Sequence, residues 1–262
     1  MYWKKTWWIA PISLIAIAYY LSPKLGELEL KPGDGSRREF SRNNTTTTVL
    51  TDNCEHISPW NVSSGEYFVC RGTYALSMNS QSKMADWVAY CVDKNSITSN
   101  GEEQDRDWEP DPNLPGSVQL EPNDYRGVGA LGYDRGHQAP LATFRGQNWQ
   151  ETNYTSNITP QKAELNRGAW LKLENYERSL IREYGNICTI TGPYYQNGIE
   201  SSKLSNADEA HIIPSGYWKI IKYGDNKIEG YLYAQDTPRD ADFKLGAISI
   251  DEIERFTGFE IN

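Results

Sequence analysis

One stretch of this 262-residue chain, residues 159–183, carries the period of a long helix, and most apolar material elsewhere comes in short runs. Leu165, Trp170, Leu173, Leu180 and Ile181 fall roughly on one helical face, leaving Asn166, Glu174 and Arg178 to project from its flank. A packing face and a working face are thereby separated. Thr159 followed by Pro160 reads as a cap and first helical position, and Gly168 predicts an irregularity inside the helix. Around it, residues 73–78, 87–92, 133–139, 187–191, 211–214, 217–223 and 230–234 show the β-branched and aromatic enrichment of strands. Gly224-Asp225-Asn226 is a turn between the last two, and residues 250–256 form a short helix opened by a Ser249/Glu252 capping box. Strands interleaved irregularly with so few helices imply an α+β domain with a central, largely antiparallel sheet flanked by helices.

Three segments follow along the chain. Residues 1–21 place Lys4 and Lys5 before a 15-residue apolar run from Trp7 to Leu21. As a helix that run reaches only about 22 Å, short of a hydrocarbon core of roughly 30 Å. Ala16-Ile17-Ala18 offers a peptidase an A-x-A site, whereas Tyr19, Tyr20 and Leu21 could extend the helix into an uncleaved anchor. Signal peptide or membrane anchor, the segment implies export: secreted or periplasmic, or tethered with the remainder outside the cytoplasm. Residues 22–50, rich in Pro, Gly, charge and threonine, read as a flexible linker, and residues 51–262 as one domain. Within it, residues 96–132 are long for a connection and suggest an ordered functional loop. Cys54, Cys70, Cys91 and Cys188 behind an export segment read as disulfides. Sequence does not choose among their three pairings, although we lean to Cys54 with Cys70 and Cys91 with Cys188.

A net charge of −9 disfavours a stable nucleic-acid binder, which needs a basic face. An enzyme that must release its product is less constrained. From Tyr133 to Arg182, moreover, seven basic residues face five acidic ones, so the acidity lies elsewhere. With only His56, His137 and His211 available and no H-E-x-x-H, a metal site built on several imidazoles is improbable, and general-base work falls on few candidates. His211, among apolar neighbours, reads as a core residue. His137 follows Arg135 by two positions, which on a strand puts a base and a cation on one face. Alone, that pairing is ordinary structure, and Glu174 with Arg178 could be a surface i,i+4 ion pair.

Their company alters the weight. Asp134-Arg135-Gly136-His137, then Asn157-Ile158-Thr159-Pro160-Gln161 and Leu165-Asn166-Arg167-Gly168-Ala169-Trp170, resemble the DNA/RNA non-specific endonucleases of the ββα-metal class. Similar segments extend from Asn53 to Gly258 and include Arg106-Asp107-Trp108 and Tyr217-Trp218-Lys219. The resemblance implies a ββα-metal nuclease fold and a magnesium-dependent phosphodiester hydrolase, with manganese a substitute. By it, His137 deprotonates the attacking water, Asn166 is the direct protein ligand of Mg2+, and Glu174 holds a metal-bound water. Arg106 and Arg178 contact phosphate, Arg135 stabilises developing charge, and Asn157 orients groups near the metal. DNA and RNA are the implied partners, since backbone contacts carry no base information. A homodimer and a protein inhibitor are left open, and a membrane is a partner only if the N-terminal helix is retained. The alternative within enzymes is a tethered nuclease acting in DNA uptake; outside them it is a catalytically silent binding module.

Overall fold

The computed structural model describes residues 47–50, 54–62, 65–98, 106–196 and 203–261, all within the unit Arg37–Asn262. The expected export segment and most of the expected linker lie outside the described residues. Alternation of side chains explains the main sheet. Its strands are β1 (Thr47–Leu50), β2 (Tyr67–Cys70), β3 (Ala75–Asn79), β4 (Met84–Asp93), β7 (Asn186–Tyr194), β8 (Gly216–Tyr223), β9 (Lys227–Ala234) and β10 (Ala247–Ile248), hydrogen-bonded in that order. Between β4 and β7 in the chain, β5 (Tyr133–His137) and β6 (Ile158–Lys162) form a separate antiparallel ribbon. All pairings in the large sheet are antiparallel except β1 with β2. The α+β class and the largely antiparallel sheet are therefore as expected.

Period two sorts each central strand between two cores. Val88, Tyr90 and Val92 of β4 and Tyr217, Ile221 and Tyr223 of β8 join one core, together with Leu173, Leu180 and Ile181 of helix α1 (Leu171–Tyr184). Trp87, Ala89, Trp218 and Ile220 join the opposite core, which Ile253 of α2 (Ile250–Thr257) closes. With both faces covered, β8 is buried almost throughout. Each of the three aliphatic side chains of α1 contributes about 1.5–3 kcal/mol by leaving water. At the same stripe sits Glu177, whose burial is made tolerable by Lys219 of β8, with Nζ 2.6 Å from Oε2. Tyr90 Oη and Thr189 Oγ1 each donate to its Oε1 at 2.8 Å. The Ser249/Glu252 capping box opens α2 as its sequence indicates.

Two disulfides lock this architecture, Cys54–Cys70 and Cys91–Cys188. The second joins residues directly opposite each other on β4 and β7. The described part of the long connection, from Arg106 onward, is ordered around buried Asp111, Gln119, Leu120 and Tyr125. Asp111 pairs with Arg71 at 2.5 Å and accepts from Ser156 Oγ at 2.6 Å.

Three expectations require correction. Residues 159 and 160 do not open the helix: they belong to β6, where Thr159 pairs with Gly136 and Pro160 with Arg135. A residue before proline is driven to extended backbone, and a ribbon's outer edge needs no N–H from the proline. The Pro160 carbonyl meanwhile accepts from Tyr217 Oη at 3.1 Å and Gln235 Nε2 at 2.8 Å, fastening the ribbon to the sheet. Helical structure begins only at Ala163. Residues 211–214 are not a strand; His211 is held by backbone instead, accepting from Leu204 N–H through Nε2 at 3.0 Å, with Nδ1 2.9 Å from Glu209 O. Finally, β1 lies in the stretch expected as linker, because Thr47, Thr48 and Val49 are β-branched and find an open sheet edge beside β2.

Candidate active site

Everything in the site hangs on the β5–β6 ribbon and the start of α1. Strand alternation turns Arg135 and His137 to one face of the ribbon. Gly136 between them lets the strands close, since a Cβ there would stand 2.6 Å from Gln161. The His137 imidazole places Nε2 3.1 Å from Oδ1 of buried Asn153, and the Trp108 ring centroid lies 5.4 Å from its own. Burial lowers its pKa to about 4, opposed by the Asn153 hydrogen bond and assisted by the Arg106 guanidinium. The ring is therefore neutral at pH 7. With the Nε2 proton given to Asn153, the Nδ1 lone pair is the one available to accept a proton. Arg135 lays its guanidinium carbon 5.2 Å from the Trp108 ring, and its Nε is buried without a hydrogen-bond partner among the described residues. Its Nη2 donates to Pro122 O at 3.5 Å, so Nε is the donor left over, and a cation with a spare donor beside a neutral base is an arrangement suited to an anion.

Asp134, on the same strand, organises the second half. It accepts from Asn166 Nδ2 at 2.9 Å and takes Arg167 in a bidentate pair at 2.8 and 2.6 Å. The Asn166 amide is thereby turned: its NH2 is occupied, and its carbonyl oxygen is the atom left to offer a cation. The widened turn Asn166–Trp170 bridges Ala163–Leu165 to α1, and Gly168 inside it has φ −109° and ψ −114°. The expected irregularity is thus real. Any side chain at Gly168 would meet the Arg239 carbonyl oxygen at 2.6 Å. One helical flank further on, burial raises the Glu174 pKa to about 7, against the pull of Lys219 and Arg178. Arg178 is itself buried, so it is no surface ion pair; it donates to Asn175 Oδ1 at 2.7 Å and Thr143 Oγ1 at 3.4 Å.

Asn157 enters differently from the others. Its Nδ2 donates to the carbonyls of Ala139 at 3.0 Å and Thr152 at 2.8 Å, and its Oδ1 accepts from Ala139 N–H at 2.8 Å. Its polar atoms are thus spent on the chain leaving His137 and the turn carrying Asn153. The other histidines are similarly committed: His56 accepts from Cys91 N–H through Nδ1 at 3.1 Å, with Nε2 3.3 Å from Gly72 O. Sequence reasoning assigned no role to Asn153, Asp134 or Trp108. Asp134 could have been suspected from its place beside Arg135, whereas Asn153 has no local signal, being one of several amides in a polar loop.

A family model described as DNA/RNA non-specific endonuclease matches residues 56–262. This chain belongs to that family. A nuclease of Serratia marcescens is 43% identical over 223 residues, covering 82% of each chain. A nuclease of Nostoc is 31% identical, covering 81% of this chain and 79% of its own. Human mitochondrial endonuclease G is 30% identical, covering 72% of this chain and 67% of its own. Among solved structures, one of the EndoG/EndoGI complex, described as showing the mechanism of EndoG inhibition, superposes with a TM-score of 0.64 at 25% identity, covering 73% of this chain and 84% of that one. As a member of the endonuclease family the chain is a phosphodiester hydrolase acting on nucleic acid, and its fold is the ββα-metal nuclease fold. In endonuclease terms, the ribbon and the helix after it are the ββα unit, with Arg135 and His137 on its first strand and Asn166 and Glu174 on the helical segment that follows.

Proposed function

We propose that the protein hydrolyses both DNA and RNA, without base selectivity and with magnesium, outside the cytoplasm. The observation that carries this is the neutral, partly buried His137 imidazole held by Asn153 next to the Arg135 guanidinium, whose Nε has no hydrogen-bond partner among the described residues. His137 takes the proton of the attacking water at Nδ1, since Nε2 is engaged by Asn153. Arg135, Arg178 and Arg106 hold the phosphate and offset the charge that grows on its oxygens. Asp134 keeps the Asn166 amide oxygen turned outward, and Asn157 keeps the His137 and Asn153 backbones in register.

The donor set fits a hard cation. Asn166 and Glu174 offer oxygen only, and all four cysteines are consumed in disulfides, so Mg2+ or Mn2+ suits the site better than a thiophilic metal. Asn166 would hold it directly and Glu174 through water. Bound there, the ion neutralises charge on the leaving oxygen. No residue described here forms a recognition helix or zinc finger, which agrees with reading a backbone and not a base sequence.

Export is supported by the two disulfides together with the apolar N-terminal run. The test is digestion of plasmid DNA and structured RNA by the purified chain, with magnesium and with EDTA. Both polymers should be cut only with magnesium. His137→Ala should lose about a hundredfold or more of the rate. Asn166→Ala should demand far more magnesium for the same rate. Full activity in EDTA, or an unchanged magnesium requirement in Asn166→Ala, would refute the metal assignment.

A further inference from the structure

Trp108 stands where the catalytic ribbon meets the long connection. Its ring packs against the His137 imidazole at 5.4 Å between centroids and against the Arg135 guanidinium at 5.2 Å. The chain on either side explains why it stays. Glu109 bridges to Tyr154 in parallel, with Thr155 N–H donating to Glu109 O at 2.9 Å. Two residues later Asp111 is tied to Arg71 and Ser156. Trp108 is therefore anchored to the same segment, residues 149–157, that supplies Asn153 to the other side of the base.

We propose that Trp108 is a positioning residue for hydrolysis, its indole keeping water from the His137 imidazole and holding the Arg135 guanidinium in place by contact with both. The inference rests on His137 being the general base. Its groups of consequence around that ring are Asn153 from the neighbouring turn, Arg106 from Trp108's own segment, and Arg135 two residues away on the strand. None of them is an anion that would raise the imidazole pKa, so desolvation is the main force keeping it low, and the Trp108 ring is packed against the imidazole. A flat aromatic face also holds a guanidinium at little entropic cost: Arg135 Nη2 donates to Pro122 O at 3.5 Å, and its Nε is left without a partner among the described residues.

The experiment uses the whole chain carrying Trp108→Ala, Trp108→Leu or Trp108→Phe, against wild type. NMR titration of the His137 ring in EDTA reads its solvation without any reaction. The pH profile of kcat/KM on plasmid DNA with magnesium reads the base in action, and binding of a DNA duplex in EDTA reads affinity. In Trp108→Ala the His137 pKa should rise by about one to two pH units toward the ordinary imidazole range, and the acid limb of kcat/KM should follow. Trp108→Phe should restore both, duplex affinity should stay within about threefold throughout, and Trp108→Leu should fall between. Leucine also supplies the answer should the alanine chain not fold. An unmoved His137 pKa in a folded Trp108→Ala or Trp108→Leu chain overturns the proposal. So does a loss of activity explained wholly by weaker duplex binding, which would make Trp108 a platform for a base. A shifted pKa with an unmoved acid limb overturns the catalytic role and traces the failure to His137 itself, which His137→Ala with retained activity would confirm.

Discussion

His137 and Glu174 are displaced in opposite directions by the same cause. Burial disfavours charge, so the imidazole stays neutral down to about pH 4 and the carboxyl stays protonated up to about pH 7 in the ion-free protein. For His137 the folded pKa is below the unfolded one, so the stability it contributes is complete above about pH 6.5 and lost as pH falls toward 4. In the same range its base form persists, and the acid limb of kcat/KM assigned to it should lie well below the 6 to 7 expected of a free imidazole. A pH profile that breaks near 6.5 and disappears in His137→Gln would contradict this. For Glu174 the folded pKa is above the unfolded one, so its contribution is present at low pH and lost as pH rises through about 7. Glu174→Gln removes a half-buried charge. It should therefore raise the stability of the ion-free protein at pH 8 by on the order of 1–3 kcal/mol while lowering activity, the usual exchange at a strained site. Urea unfolding in EDTA measures the first quantity, and a destabilised Glu174→Gln chain would count against the burial argument. At this scale the sequence was informative about residue types and poor about their partners. His137, Asn166 and Glu174 stood out, but Asn153 and Trp108 take their meaning from contacts that local patterns do not encode.

Helix α1 shows what an element adds. Its stripe of Leu173, Glu177, Leu180 and Ile181 interrupts three aliphatics with an acid whose charge Lys219, on β8, offsets while Tyr90 and Thr189 donate to its other oxygen. Glu177→Leu should cost about 3–5 kcal/mol, because the Lys219 ammonium is left buried without its partner. Combining it with Lys219→Met should recover most of that loss, since two apolar side chains of similar size can replace a buried pair. A urea series on the single and double variants checks both, and a double variant no more stable than the single would show that Tyr90 and Thr189 need the carboxylate in its own right. The helix was legible because 3.6-residue periodicity repeats over many residues. Its start was not, because a Thr-Pro pair satisfies the rules of a helix cap and of an extended chain equally well, and β5 supplied the hydrogen-bonding partner that decided between them. The same competition explains β1, where threonines that look like a polar linker pair with a waiting edge.

For the molecule as a whole, the disulfides are unequal. Cys54–Cys70 closes 16 residues and Cys91–Cys188 closes 97, which in the chain-entropy view is worth about 3 and about 5 kcal/mol respectively. Replacing Cys91 and Cys188 with serine should therefore lower Tm further than replacing Cys54 and Cys70, as calorimetry would show; the reverse order would mean that native-state packing outweighs the restriction of the unfolded chain. The net charge of −9 coexists with nucleic-acid substrates because residues 133–182 carry more basic than acidic residues, so the acidic excess lies elsewhere in the chain. By itself the sequence determined the fold class, the family and the chemical types at the site, because periodicity, turn residues and a run of motif residues are local and survive without knowledge of the fold. The tertiary structure alone decided which amide holds the base, which way the Asn166 oxygen turns, where the helix begins and how Glu177 is neutralised. Each of those depends on two groups distant in the chain sharing a desolvated space, where an unpaired charge or donor costs more than local propensity can supply.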